Sequence, residues 1–65
     1  MEKLKLDFKI PEYLEKDIDA YVDAINRKDL AWDCYYDEVF SSLRRAYGNH
    51  SLTDEQLALL KDWYL

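Results

Sequence analysis

The alternation of side chains over residues 4–10 constrains this chain more than any other feature. Four apolar residues alternate there with three charged ones: Leu4, Lys5, Leu6, Asp7, Phe8, Lys9 and Ile10. Because a period of two puts neighbouring side chains on opposite faces of an extended chain, the pattern predicts a β-strand over about residues 3–10. No second stretch shows this pattern, and a lone strand leaves its backbone donors and acceptors unpaired. A strand from another molecule is the simplest remedy.

The sequence after this strand predicts helices only. Pro11 suits the first position of a helix, where its missing N–H group costs nothing, and a first helix is predicted over about residues 11–27. At 100° per residue its apolar residues form one stripe with apolar flanks. The stripe and flanks contain Leu14, Ile18, Tyr21, Val22, Ile25, Tyr13, Ala20 and Ala24. One polar residue, Asp17, lies within this apolar arc, and we expect it at the hydrated rim of the core.

A second helix is predicted over about residues 30–47. It follows a short polar connection in which Asp29 is a suitable N-cap residue. The apolar residues of this helix fall within one arc: Trp32, Tyr35, Tyr36, Val39, Phe40, Leu43, Ala46 and Tyr47. Gly48, the only glycine, follows at the point where a left-handed cap residue is expected.

The start of a third helix is marked by two neighbouring signals. Thr53 and Gln56 have the spacing of a capping box, and Leu52 with Leu57 has the spacing of a hydrophobic staple. The helix should span about residues 54–64, with Trp63 and Tyr64 closing the core. The predicted fold is therefore one domain over residues 1–65, mainly α, with a three-helix bundle and a short N-terminal strand.

Composition excludes several classes of site. With one cysteine, Cys34, and one histidine, His50, the 65 residues cannot form an internal disulfide or a structural zinc site. Cys34 is expected opposite the apolar arc of the second helix and His50 in a turn, so they do not suggest a catalytic pair. No apolar stretch approaches the ~20 residues of a membrane crossing, and no leader is expected. These features predict a cytoplasmic protein without cofactor, metal or small-molecule substrate.

The charge is unevenly distributed along the chain. The net charge is −5, with +1 over residues 1–10 and −6 over residues 11–65. An acidic body repels nucleic acid, so a protein partner is expected instead. We expect a second copy, joined through the apolar side of the predicted strand: Leu4, Leu6, Phe8 and Ile10.

A strand, a helix begun by proline, a short loop and a second helix follow one another over residues 3–47. This order resembles the ribbon-helix-helix family of DNA-binding dimers. In that family two chains pair their strands, and the outward side chains of the ribbon enter the major groove. Carried over by position, the resemblance implies that Lys3, Lys5, Asp7 and Lys9 face the groove, with the three lysines contacting DNA.

A second resemblance covers most of the chain. It rests on residues 9–18, with the sequence KIPEYLEKDI, on residues 20–22, on residues 52–56, with LTDEQ, and on residues 63–65, with WYL. These stretches resemble small uncharacterised proteins encoded on bacterial conjugative elements. The resemblance implies a bacterial, cytoplasmic protein and no particular chemistry.

Acidic residues suggest a third possibility, an inhibitor that mimics nucleic acid. Two rows of carboxylates at intervals of four residues lie on the first two helices: Glu15, Asp19 and Asp23, then Asp33 and Asp37. Like charges at this spacing repel, so such rows are either solvated faces or imitations of a phosphate backbone. The sequence thus favours a non-enzymatic, self-associating interaction or accessory protein, with the DNA-binding regulator and the mimic as alternatives.

Overall fold

The computed structural model describes all 65 residues and contains three helices and no β-strand. Helix α1 spans Glu12–Asn26, α2 spans Trp32–Gly48 and α3 spans Asp54–Tyr64. Helix α1 packs against α2, and α2 packs against α3, around one cluster of apolar side chains. The mainly α, three-helix fold is confirmed, whereas the strand predicted over residues 3–10 is wrong.

Helix α1 buries the stripe that its sequence predicts. Leu14, Ile18, Tyr21 and Ala24 are its buried residues, and they recur at intervals of three and four. Pro11 precedes the helix with extended backbone, and its carbonyl oxygen accepts the first hydrogen bond of the helix. The stripe thus faces α2 and the rest of the core along the whole helix.

Helix α1 ends in a Schellman motif whose left-handed residue is a lysine. Lys28 has a φ of 57°, and its N–H donates to the Ile25 carbonyl at 3.1 Å. The N–H of Asp29 donates to the Ala24 carbonyl at 2.9 Å. Asp29 is not the N-cap of α2, because its Oδ1 instead accepts from the Ala31 N–H at 2.8 Å within a turn. This turn delays the start of α2 by two residues relative to the prediction.

Helix α2 buries a polar residue that its pattern places on the solvent side. Val39, Ser42, Leu43 and Ala46 are its buried residues. The Ser42 hydroxyl donates a hydrogen bond to Oδ2 of the half-buried Asp17 on α1. Each polar group thereby satisfies the other where the two helices meet, which lets Ser42 enter the core.

Three aromatic residues from the predicted apolar arc of α2 lie on the surface instead. Trp32, Phe40 and Tyr47 are 44%, 37% and 42% exposed. The burial of Ser42 explains the exposure of Phe40 and Tyr47, because turning its side of α2 towards α1 turns their side outward. Trp32 is the first residue of α2, so its exposure belongs to the end of the helix and not to this rotation. The apolar arc predicted for α2 therefore faces the core, but its edge with Phe40 and Tyr47 lies on the surface.

The turn between α2 and α3 repeats the motif that ends α1. Gly48 is the last residue of α2 and does not have a positive φ, so the left-handed role predicted for it is wrong. His50 takes that role with a φ of 66°, and its N–H donates to the Tyr47 carbonyl at 3.2 Å. The N–H of Ser51 donates to the Ala46 carbonyl at 2.8 Å. The prediction fails because the helix continues for one more residue before its cap.

The start of α3 is the boundary that the sequence predicts best. Gln56 N–H donates to Thr53 Oγ1 at 3.2 Å, and Thr53 N–H donates to Gln56 Oε1 at 3.0 Å, so the capping box is confirmed. Leu52 is buried, and Leu57 packs against the same core. Leu60 then continues the buried side of the helix.

Residues 1–11 form the N-terminal segment, which lies outside any helix. It runs alongside α1 and the C-terminal end of α3, with a bend at Asp7 and Phe8. A β-strand needs a hydrogen-bonded neighbour, and the chain contains no second strand to supply one. The segment therefore keeps the alternation of a strand without forming one.

Candidate functional site

The N-terminal segment places its apolar and charged side chains on opposite sides, as the alternation predicts. Leu4, Leu6, Phe8 and Ile10 are half-buried and pack against the core of their own chain. The charged residues between them are exposed. The four side chains assigned to dimerisation therefore already have an intramolecular contact, and their pairing with a second copy stays a prediction.

Two side chains of α3 hold the segment by its backbone. The Leu4 N–H donates to the Tyr64 hydroxyl at 2.8 Å, and the Trp63 indole N–H donates to the Glu2 carbonyl at 2.9 Å. Tyr64 is buried as predicted, while Trp63 is 46% exposed, so its predicted place in the core is wrong. The Tyr21 hydroxyl donates to the Tyr64 carbonyl at 3.0 Å, and burial raises the pKa of Tyr21.

Contacts with α1 also hold the segment. Lys3 Nζ lies 2.6 Å from Asp19 Oδ1 and 3.6 Å from Glu15 Oε1. The hydrogen bond to Asp19 is the main reason that the pKa of Lys3 is raised, and the charge of Glu15 adds to the effect. Farther along, Asn26 accepts from the Met1 nitrogen at 2.6 Å and donates to the Met1 carbonyl at 2.9 Å.

The backbone of the segment has an edge that the chain does not use. None of residues 1–10 makes a backbone-to-backbone hydrogen bond. Because Glu2 and Leu4 turn their backbone groups towards α3, the alternation of an extended chain turns those of Lys3 and Lys5 the other way. An open groove of about 620 Å³ follows the segment. Its lining consists of Lys3, Leu4, Lys5, Leu6, Phe8, Lys9, Ile10 and Glu15.

The three lysines proposed as DNA contacts are not equivalent. Lys3 is engaged by two carboxylates of α1, whereas Lys5 and Lys9 are exposed and make no ion pair. Asp7 is likewise exposed and unpaired. The structure therefore leaves two free cations on the outer side of the segment.

The two acidic rows differ in the same way. Glu15 and Asp19 are paired with Lys3, and Asp23 is paired with Arg27 on the next turn of α1. The second row, Asp33 and Asp37 on α2, has no cationic partner. These two rows contain all five carboxylates assigned to mimicry: Glu15, Asp19, Asp23, Asp33 and Asp37. Only two of them present an uncompensated charge.

Cys34 and His50 are both exposed, as expected. Cys34 lies on α2 and is a free thiol, while His50 occupies the left-handed position of the α2–α3 turn. Nowhere in the structure do three His, Cys, Asp or Glu side chains group in a way that could hold a metal ion. No helix combines the length and the apolar character that a membrane crossing requires.

One cluster on the surface was not anticipated from the sequence. The exposed ring of Phe40 has two cations near it, with Arg44 Cζ and Lys61 Nζ each 5.9 Å from the ring centroid. Phe40 and Arg44 are four residues apart on one helix, so their contact could have been read from the spacing. Lys61 belongs to α3, and only the packing of α3 on α2 brings it to the ring.

Comparison of the chain with protein-family models, with curated proteins and with solved structures gave no match.

Proposed function

We propose that this protein is a non-enzymatic interaction module that associates with a second copy of itself through the N-terminal segment. One observation carries the proposal: residues 1–10 lie outside any helix and use none of their backbone groups in backbone-to-backbone hydrogen bonds. Chains with such an edge commonly accept another strand, because the added hydrogen bonds satisfy both edges. The segment would become a strand when it pairs.

The groove beside the segment supports this mode of association. It follows residues 3–10, and four of its eight lining residues are apolar. The bend at Asp7 and Phe8 limits a straight pairing edge to the residues before it. The apolar side chains remain on their own core, so pairing adds backbone hydrogen bonds of about 0.5–1.5 kcal/mol each and little apolar burial. The dimer is therefore expected to be modest in affinity.

The proposal places the protein in a bacterial cytoplasm, as an accessory protein with no cofactor. The exposed free thiol of Cys34 fits a reducing compartment. A protein partner also fits the charge, because the residues after the segment carry −6.

Replacing Lys5 by proline tests the proposal directly. Proline removes a backbone donor that no group of the chain uses, and it favours extended backbone at residue 4, which lies outside any helix or turn. Sedimentation should show concentration-dependent dimers of the parent at micromolar concentrations and monomers of Lys5→Pro. The unfolding free energy of the monomer should not change. Phe8→Asp is a poor test, because Phe8 packs on its own core and a charge there would destabilise the monomer as well.

Lys5→Gln is the matched control, since it removes the same side-chain charge and keeps the backbone donor. It should dimerise like the parent. A parent that stays monomeric at every micromolar concentration, or a Lys5→Pro variant that dimerises equally well, would refute the proposal.

Binding of duplex DNA is the second candidate, and the two free cations on the outer side of the segment favour it. In a paired ribbon, each of the two copies would contribute an outward Lys5 and an outward Lys9. Replacing Lys3, Lys5 and Lys9 with Gln should then weaken binding and reduce its salt dependence by about one unit for each lost phosphate contact. Loss of dimerisation in Lys5→Pro should abolish DNA binding as well. Mimicry of nucleic acid is not favoured, because three of its five carboxylates are in ion pairs.

A further inference from the structure

Helix α2 carries an exposed face whose charges change sign from one end to the other. We call Asp33, Asp37, Phe40 and Arg44 the outer face of α2. At 100° per residue these four positions fall within about 60° of one another, and all four residues are exposed. The first two carry negative charge, the third is aromatic and the last is positive. The charge of the face therefore changes from negative to positive along the helix axis.

None of these charges is in an ion pair within the chain. Asp33 and Asp37 are four residues apart and repel each other, and neither makes an ion pair. At the other end, Arg44 and Lys61 approach the same exposed ring of Phe40, and no carboxylate pairs with either. The end with Asp33 and Asp37 can therefore accept positive charge from a partner, and the end with Arg44 can accept negative charge.

We propose that a second copy docks on this face with its α2 antiparallel to the first. A two-fold axis between Phe40 and Ser41 would place Asp37 of each copy level with Arg44 of the other. A two-fold contact must be self-complementary, and this face meets that condition in its charges and in the ring at its centre. The antiparallel arrangement also places the positive end of each helix dipole beside the negative end of the other, which is favourable.

This contact goes beyond the proposed function, since it shares no residue with the N-terminal segment. A helix of 17 residues is about 25 Å long and 10–12 Å wide, which gives roughly 300 Å² of facing surface per copy. Stable complexes bury about 800 Å² per partner, so this contact should form at much higher concentration than a specific dimer. Together with pairing of the N-terminal segments, it would link copies into assemblies larger than a dimer.

Charge exchange across the two-fold axis tests the inference. The experiment uses Lys5→Pro as the parent, so that the N-terminal segment does not contribute, and measures sedimentation up to millimolar concentration. The parent should dimerise weakly. Asp37→Arg and Arg44→Asp should each remain monomeric, because each places like charges opposite one another. An equimolar mixture of the two variants should associate again, since every facing pair is then attractive.

Glu38→Arg is the control, because it makes the same change in net charge as Asp37→Arg on the other side of the helix. It should associate like the parent, and circular dichroism should show that every variant is equally helical. The inference is overturned if the parent is monomeric at millimolar concentration, if the single variants associate like the parent, or if their mixture does not associate.

Discussion

Substituting alanine for the only glycine should stabilise this protein. Gly48 is the last residue of α2, has no positive φ, and would place an added Cβ in open space with no atom within 4 Å. A left-handed glycine at the same position, as the sequence pattern predicts, would make the identical substitution destabilising. The sign of the change in unfolding free energy therefore distinguishes the two conformations.

The conformational preferences of glycine and alanine determine how much Gly48→Ala changes the unfolding free energy. Alanine is favoured over glycine by about 0.5–1 kcal/mol within a helix, and the position of Gly48 at the helix end argues for the lower value. In a domain of this length about 0.5 kcal/mol raises the Tm by roughly 2–4 °C. A left-handed residue would instead lose about 1–2 kcal/mol on gaining a Cβ.

His50 provides the reciprocal experiment, because it holds the left-handed position with a φ of 66°. Replacing it with glycine relieves about 1–2 kcal/mol of backbone strain and adds about 0.5–1 kcal/mol of unfolded-state entropy. We expect a net gain of about 0.5 kcal/mol. His50→Ala is the control, since it removes the imidazole and keeps the Cβ, and it should not stabilise the protein.

Urea unfolding followed by circular dichroism measures all three variants, with the slope of the transition showing whether the folded state is otherwise unchanged. The reasoning is refuted if Gly48→Ala lowers the midpoint, or if His50→Gly lowers it while His50→Ala does not.

Three further outcomes follow from single contacts. Thr53→Ala should lose about 1 kcal/mol of unfolding free energy in the same assay, because the start of α3 loses its cap, and an unchanged midpoint would contradict this. Tyr64→Phe should lose about 1 kcal/mol and speed hydrogen exchange in the N-terminal segment, since the hydroxyl that receives a backbone N–H is removed. The hydrogen bond from the Ala31 amide, and then that from Arg27, lowers the pKa of Asp29 below its usual value near 3.8. Its contribution to stability should therefore be complete above that value and be lost as the pH falls through the lowered pKa, which a carboxyl NMR titration of the parent and of Arg27→Gln can follow.

Local signals in the sequence predicted the parts of the fold that depend on neighbouring residues. The capping box of Thr53 and Gln56 needs only a separation of three, and it places the start of α3 correctly. The ends of α1 and α2 were less predictable, because Lys28 and His50 occupy left-handed positions that glycine or asparagine usually takes. Lysine carries no signal for that role, and histidine is only one of several residue types that are enriched in it.

Features that depend on tertiary packing were predicted only in part. The alternation of apolar and charged residues in the N-terminal segment predicts that one side of it is covered. It does not indicate whether a second strand or the helices of the same chain cover that side. The buried Ser42 is similar, because its place in the core depends on Asp17, 25 positions earlier in the chain. The contact of Lys61 with the Phe40 ring could not be predicted without knowing how α3 packs.

The hydrogen bond from Leu4 to Tyr64 joins residues 60 positions apart in the sequence. While the chain is being synthesised, the apolar side of the N-terminal segment emerges long before α3 exists to hold it. Folding therefore cannot finish cotranslationally until the last turn of α3 has left the ribosome. During that interval a stretch with the alternation of a β-strand is open to pairing with neighbouring nascent chains, and the charges at Lys5, Asp7 and Lys9 oppose such pairing.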